Sequence, residues 1–346
     1  MIRQTVLVVG GAGYIGSHMV KDLIRADYDV VILDNLSRGH RDLVSGGVFI
    51  EGDLGDAVLL KRIFTEHPIS AVMHFAAYSL VGESVEKPLE YYRNNVARTV
   101  ELLEAMRQQG VNRFIFSSTA AVYGEPGQVP ITEDHPCQPT NPYGASKLAV
   151  EHLLADCERA ASLKYISLRY FNAAGADESG KLGERHEPES HLIPLVLQVA
   201  SGERMNIRIY GTDYPTPDGT CIRDYIHVSD LTQAHLLALK RLLNGGDSAV
   251  YNLGNSRGYS VCEVIDTARR VTGHPIPATT SVRRPGDPVV LVADSGKIRG
   301  ELDWKPRYED LQTIIETAWV WHRRETQQKK TNRSETAVGL QVPAKD

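Results

Sequence analysis

The sequence predicts an α/β fold: a Rossmann-type doubly wound parallel sheet with a smaller C-terminal α/β substrate-binding lobe. Three observations carry this. Short apolar runs rich in β-branched residues alternate with helical patterns over the first half of the chain. The first run breaks directly into Gly10-Gly11-Ala12-Gly13-Tyr14-Ile15-Gly16, and the second ends in Asp34, eighteen residues after Gly16. Strand, glycine turn, helix, strand and acidic residue, in that order, are the context in which a glycine-rich turn holds a dinucleotide rather than merely reversing the chain.

Residues 5–9 read as a buried strand. Over 15–24 the apolar residues Ile15, Met19, Val20, Leu23 and Ile24 recur at helical spacing, with Lys21, Asp22 and Arg25 on the other face. Gly11 and Gly13 are expected to let the backbone turn tightly and approach a pyrophosphate, and Gly16 to seat the helix on the strand. The helix N-terminus then aims free N–H groups at the phosphates. A second strand at 30–33 delivers the Asp34 carboxylate, which can accept hydrogen bonds from ribose hydroxyls and so favours NAD over NADP. Arg38 lies close enough in sequence to meet a 2′-phosphate, so the preference is not absolute.

Further strands are expected at 48–50, 71–75, 113–118 and 165–169, and helices at 57–66, 89–109 and from Tyr143 to about 160. Asp34, Asp53, Phe75-Ala76-Ala77, Ser117-Ser118-Thr119 and Tyr170-Phe171-Asn172 each follow an apolar run. They should therefore line one rim of the sheet, where parallel sheets bind ligands. Residues 1–175 form the expected dinucleotide domain. Pro- and Gly-containing loops at 214–219 and 283–288 mark residues 176–324 as mainly a second lobe, with the chain crossing back to the first domain. The polar stretch 325–346 reads as a disordered tail.

Composition excludes several classes. With 346 residues, 42% of them hydrophobic, the chain can bury a large core. A net charge of −5 leaves no basic footprint for nucleic acid. No apolar stretch approaches a membrane span, and a strand starting at residue 5 leaves no room for a signal peptide, so a cytoplasmic location is expected. Cys137, Cys157, Cys221 and Cys262 are scattered without C-x-x-C spacing, which suits reduced thiols.

The chemistry is carried by Tyr143-Gly144-Ala145-Ser146-Lys147. Tyr143 and Lys147, four apart on a helix, share a face, and an ammonium there can lower the phenol pKa. A tyrosine so tuned can take a proton from a secondary alcohol while hydride leaves the same carbon for a nicotinamide. The Ser117-Ser118-Thr119 hydroxyls could bond the reacting oxygen beside it.

Several further segments carry a resemblance: Ser17-His18 after the glycine turn, Leu33-Asp34-Asn35-Leu36-Ser37, His74-Phe75-Ala76-Ala77, Val81-Gly82-Glu83-Ser84, Phe116 to Gly124, Leu168-Arg169-Tyr170-Phe171-Asn172, Ile222 to Val228, Tyr251-Asn252-Leu253-Gly254 and Arg284-Pro285-Gly286-Asp287. With these and the two motifs above, the chain resembles, over about residues 3–322, the UDP-glucose 4-epimerase family of the extended short-chain dehydrogenase/reductase superfamily.

The resemblance implies tightly held NAD and a UDP-sugar substrate, oxidised at C4 to a 4-keto sugar that turns over before re-reduction. It implies that Tyr143 is the proton carrier, with Lys147 and Thr119 beside it. It assigns NAD contacts to Gly10, Gly13, Tyr14, Ile15, Gly16, Asp34, Asn35, Ser37, Asp53, Leu54, Phe75, Ala76, Ala77, Asn94, Ser117, Tyr143, Lys147 and Phe171. Ser79 stands where many members carry a cofactor-contacting lysine. It assigns the UDP grip to Asn172, His191, Arg223, Tyr225, Arg284 and Asp287, with His191 where asparagine is usual. Leu291 takes the position of the sugar-pocket wall, where a tyrosine excludes a 2-acetamido group. It also implies a homodimer formed by the helices at 89–109 and from Tyr143 to about 160, with Val100, Leu103, Met106, Val150 and Leu154 as candidate contacts and burial in the chain's own core as the alternative for some of them.

Other readings compete. Glu184, His186, Glu187, Glu189 and His191 could suggest a metal, but in a polar loop they read as solvated, and no metal is expected. Arg223-Asp224 could be a structural ion pair. A 4,6-dehydratase on this fold needs Asp-Glu after the threonine, where this chain has Ala120-Ala121. A sister epimerase for UDP-xylose or UDP-uronic acids and a noncatalytic NAD-sensing regulator remain as alternatives.

Overall fold

A computed structural model of the chain describes residues 3–284 and 286–339. Seven parallel strands form the central sheet: β1 (Thr5–Val9), β2 (Asp29–Asp34), β3 (Val48–Glu51), β4 (Ile69–His74), β5 (Arg113–Thr119), β6 (Lys164–Tyr170) and a late arrival at Ala249–Leu253. Between the last two, in chain order, come β7 (Asn172–Ala174), β8 (Ile207–Tyr210) and β9 (Ile222–His227), so the late strand is β10. The spatial order β10-β6-β5-β4-β1-β2-β3 reverses direction between β1 and β4. That is the switch point beyond whose carboxyl ends such sheets bind ligands.

Helices cover both faces. On one lie α1 (Tyr14–Arg25), which supplies Met19, Val20 and Leu23, and a long helix at Val228–Leu243 that supplies Leu231, Leu239 and Leu242. On the other lie α2 (Ala57–Glu66) with Leu60 and Ile63, the segment up to residue 108 with Leu102 and Met106, and Pro142–Ala161 with Val150 and Leu154. Each of these leucines and isoleucines is almost fully buried and contributes about 2 kcal/mol relative to exposure.

The helix expected at 89–109 is interrupted. After α3 (Val81–Glu86), α4 (Pro88–Tyr92) passes through one wide π turn, Arg93–Ala97, into α5 (Arg98–Gln108). The turn rotates Asn95 inward, where its side chain is bonded on both ends, and such turns recur at functional positions. α6 is Pro142–Ala161, capped by the Asn141 side chain on Gly144 N and opened by a proline at its first position.

The later segments build a second layer. Strand β9 pairs with β7, with β11 (Gly258–Ser260) and with β13 (Val290–Leu291), and β8 pairs with β12 (Ala278–Ser281). Around them pack α7 (Leu192–Ala200), α8 (Val228–Leu243), α9 (Val261–Thr272), α10 (Gly296–Leu302) and α11 (Leu311–Gly339).

Two expectations need correction. Residues 325–339 are helical rather than a disordered tail: they continue α11, whose Leu311, Ile314, Ile315 and Trp321 are buried, through a run with no glycine or proline before Gly339. Residues 340–346 of that expected tail lie outside the described residues. Among the apolar residues offered as contacts with a second copy, Leu103, Met106, Val150 and Leu154 are 0–7% exposed and belong to the chain's own core. Val100 is exposed, as are Val81, Val85, Leu89 and Tyr92 from the same helical layer.

Candidate active site

The glycine turn is built around Gly10 and Gly16. Gly10 has φ +81°, and a Cβ there would lie 2.5 Å from Ala76 N; a Cβ on Gly16 would lie 2.1 Å from Gly10 O. The left-handed position is therefore Gly10, whereas Gly11 packs against Ile32 and Val20. Gly13 has extended backbone and only Gly10 O near its open side, and it leads into α1, whose start no side chain caps. That uncapped first turn suits a pyrophosphate.

Asp34 closes the other end of the cradle. Its two carboxylate oxygens accept from Ala12 N and Leu36 N, both at 2.9 Å, which fixes the carboxylate beside the glycine turn and leaves lone pairs for hydroxyl donors. Burial raises its pKa and those two N–H groups pull it back. Asn35 donates to Asp53, which pairs with Arg98, and Arg98 in turn bonds Asn94. Ser37 and Ser79 are exposed, Leu54 is buried and Ile15 packs on the core. Tyr14 is buried, with its hydroxyl on Gly175 O at 2.7 Å. The N–H groups of Phe75 and Ala76 both bond Val9 O, tying the loop that runs on through Ala77 to the end of β1. Arg38 does not face Asp34; its guanidinium pairs with Glu83 and reaches Glu187 O. The residues present thus fit an NAD, and Arg38, the cation weighed for a 2′-phosphate, is engaged with Glu83 instead.

At the carboxyl end of β5 the candidate catalytic residues meet. Tyr143 is 8% exposed and lies beside Thr119, itself 8% exposed, whose hydroxyl opposes the burial effect on the phenol. Lys147, one helical turn on, donates to Ser117 O at 2.8 Å and is 3% exposed. Here the expected electrostatics are corrected. Burial raises the Tyr143 pKa, opposed by Thr119, and burial lowers Lys147 to about 7, opposed by the Glu151 charge. The cause is exclusion of water from both groups, which disfavours either charge.

Sequence reasoning missed the residues that hold this arrangement. Asn95 accepts from Tyr78 N and donates to Ser146 Oγ, and Ser146 donates to Tyr143 O, linking the loop after β4 to α6. Glu151, two turns beyond Tyr143, forms a buried pair with Arg169 and accepts from Ser118 Oγ. Arg169 continues to Tyr123, which donates to Asn252. An internal Glu-x-x-x spacing after Lys147 was the available signal for Glu151; nothing local marks Asn95.

The candidate substrate residues gather around β9. Asn172 on β7 donates to Asp224 O and pairs in register with Tyr225, which is buried. Arg223 pairs with Asp287, and Arg284 pairs with the same carboxylate, so two guanidinium groups flank it. Asp224 points the other way, accepting from Asn255, Ser256 and Ala293 N–H groups, so it is not the ion-pair partner of Arg223. Leu291 sits in register with Arg223 and packs against the group containing Phe171, Tyr123 and Ala120. His191 precedes α7 with its Nδ1 on Glu184. In that neighbourhood the expected solvated loop is half right: the Glu184 and Glu189 side chains are 5% and 7% exposed, whereas His186 is 27% and His191 48% exposed.

A doubly wound sheet whose switch point carries an uncapped glycine turn, with a buried tyrosine, lysine and threonine beside it, defines a nicotinamide-dependent enzyme of the short-chain dehydrogenase type. The family model described as "NAD dependent epimerase/dehydratase family" matches residues 6–254, and the chain belongs to that family. It is 55% identical, over 92% of its length and 96% of the relative's, to the UDP-glucose 4-epimerase of Halalkalibacterium halodurans. It is similar to the crystal structure of the Bifidobacterium longum UDP-glucose 4-epimerase in complex with NAD+ and UDP, with TM-score 0.89 and 42% identity over 93% of this chain and 99% of that one. A similar structure is the UDP-Glc/GlcNAc 4-epimerase of Campylobacter jejuni, with TM-score 0.82, 43% identity, and coverage of 93% and 99%.

Proposed function

We infer that this enzyme interconverts UDP-glucose and UDP-galactose by oxidation and re-reduction at sugar C4. The observation that carries the reading is the buried Tyr143–Thr119 pair with Lys147 at the rim that also holds the glycine turn and Asp34. NAD held by the glycine turn and Asp34 would supply the oxidising and reducing equivalents for C4.

The rest falls to the chain's own residues. Tyr143 Oη takes the proton of the 4-hydroxyl and gives it back, Thr119 Oγ positions that hydroxyl, and Lys147 Nζ, held on Ser117 O, stands one helical turn along the same face. The low exposure of all three excludes water from the 4-keto sugar. Arg223 and Arg284 hold the pyrophosphate, with Asp287 fixing their direction. A grip on UDP rather than on the sugar lets the keto sugar turn over. Ala120 and Ala121, in place of an acid and a base, weigh against a dehydratase. Purified protein given UDP-galactose is expected to form UDP-glucose, separated by chromatography; an unchanged UDP-galactose peak would contradict the reading.

The pocket wall sets a second expectation. Leu291 is shorter than a tyrosine and packs against the cluster that includes Phe171, so as a pocket wall it would give a 2-acetamido group more room than a tyrosine would. UDP-N-acetylglucosamine is therefore expected to turn over measurably, and Leu291→Tyr to cut that activity about tenfold or more while sparing UDP-glucose. Equal slowing of both sugars in a steady-state comparison would show that Leu291 is not the wall.

The enzyme is also read as a cytoplasmic homodimer. All four cysteines are free thiols, and no described helix is long and apolar enough to cross a membrane. Leu89 (77% exposed), Val85 (63%) and Tyr92 (41%) sit together on α3 and α4, an apolar face that a second copy would bury. Light scattering at micromolar concentration should give twice the chain mass, and a monomer mass would exclude this interface.

A further inference from the structure

The segment from Gly183 to His191 crosses the glycine-turn end of the first domain as a strap, and its side chains alternate. Arg185 points one way, into Asp42 and Glu325, while His40 Nε2 meets Arg185 O at 3.1 Å and Trp321 Nε1 donates to Glu184 O at 2.9 Å. The side chains of Glu184, His186, Glu189 and His191 point the other way and converge, with one donor atom from each within 4.8 Å of all the others. The His186 ring lies edge-on to Tyr14, the first residue of α1, at 6.5 Å between centroids.

We propose that Glu184, His186, Glu189 and His191 form a zinc site that locks this strap against the start of α1. Both histidines turn the same nitrogen, Nδ1, toward one oxygen of Glu184, at 3.1 Å for His186, with Glu189 3.8–3.9 Å away. Two nearly buried carboxylates face two imidazoles, of which His191 is about half exposed. A divalent ion neutralises the carboxylates and leaves the imidazoles neutral.

Two imidazole nitrogens and two carboxylate oxygens are a four-donor set suited to zinc, with bonds of about 2.0–2.2 Å. Donors around such an ion stand about 3.3–3.5 Å apart by that geometry, so modest side-chain rotation from the present spacing suffices. The outer contacts of a built site are also in place. Glu189 Oε1 accepts from Ser190 N at 2.7 Å and His191 N at 2.9 Å, which fixes the carboxylate before any ion arrives.

The test uses the full-length protein, stripped with a chelator and titrated with zinc by calorimetry, with bound metal counted by mass spectrometry. One zinc per chain with micromolar or tighter affinity is expected, together with a rise in melting temperature. Glu184→Gln and His186→Asn should each weaken binding about a hundredfold or more. Cobalt-loaded protein should show tetrahedral d–d absorption without a thiolate charge-transfer band, and lose it in both variants. Absence of saturable zinc binding by the wild type overturns the proposal, and this decides the matter even if a variant fails to fold. Binding unchanged in both folded variants, or a thiolate band, overturns it equally.

Discussion

Tyr143→Phe is expected to fold and to retain NAD while kcat on UDP-galactose falls by about a thousandfold or more. The substitution keeps the ring that fills a site only 8% exposed and removes only the hydroxyl. Thr119 is not left unsatisfied by the loss, since its Oγ also accepts from Ala121 N at 3.1 Å. The structure therefore has little reason to move, and the deficit should be chemical. Thr119→Ala should cost much less, about tenfold, because it positions the hydroxyl but carries no proton away. Circular dichroism, bound-NAD content and steady-state kinetics on the same preparations separate folding from chemistry. A Tyr143→Phe enzyme with near-normal kcat would remove Tyr143 from the mechanism.

The second large effect is on stability. Glu151 and Arg169 have side chains 6% and 8% exposed, joined at 2.6 Å, and their network runs through Ser118, Tyr123 and Asn252 directly behind Thr119 and Tyr143. Glu151→Ala strands a guanidinium in the core, for a cost of about 3–5 kcal/mol in chemical denaturation. Removing both charges together, as in Glu151→Leu with Arg169→Met, should recover much of that loss, because the double change also removes the desolvation penalty. A single variant within about 1 kcal/mol of wild type, or a double variant less stable than the single, would show that the pair is not what holds α6 to the sheet.

How much of this was legible in the sequence depended on whether the signal was local. Strands such as Thr5–Val9 and the helix Tyr14–Arg25 follow from period and composition, and the Tyr143–Lys147 pair follows from four-residue spacing. Asn95 did not, because its partners Tyr78 and Ser146 are distant in sequence and only a wide turn in the helix brings it inward. The resemblance placed Leu103 and Val150 on helices that pair between copies, with burial in their own core as the alternative, and the packing of the sheet decides for the core. The sign of the Tyr143 shift was hidden for the same reason: a lysine nearby in sequence predicts a lowered pKa, whereas burial by the sheet raises it. Residues 325–339 were read from polarity alone, although the anchored half of α11 and the absence of a helix breaker before Gly339 carry the helix through them.

The central claim is that hydrogen leaves and returns at C4 within one closed site, with Tyr143 exchanging only the hydroxyl proton. Running the reaction on UDP-galactose in deuterium oxide and reading the product by proton NMR tests it most directly. The account predicts UDP-glucose that keeps its full C4–H signal, with no deuterium on any sugar carbon. Deuterium at C4, or at a neighbouring carbon as an elimination would place it, would contradict the account.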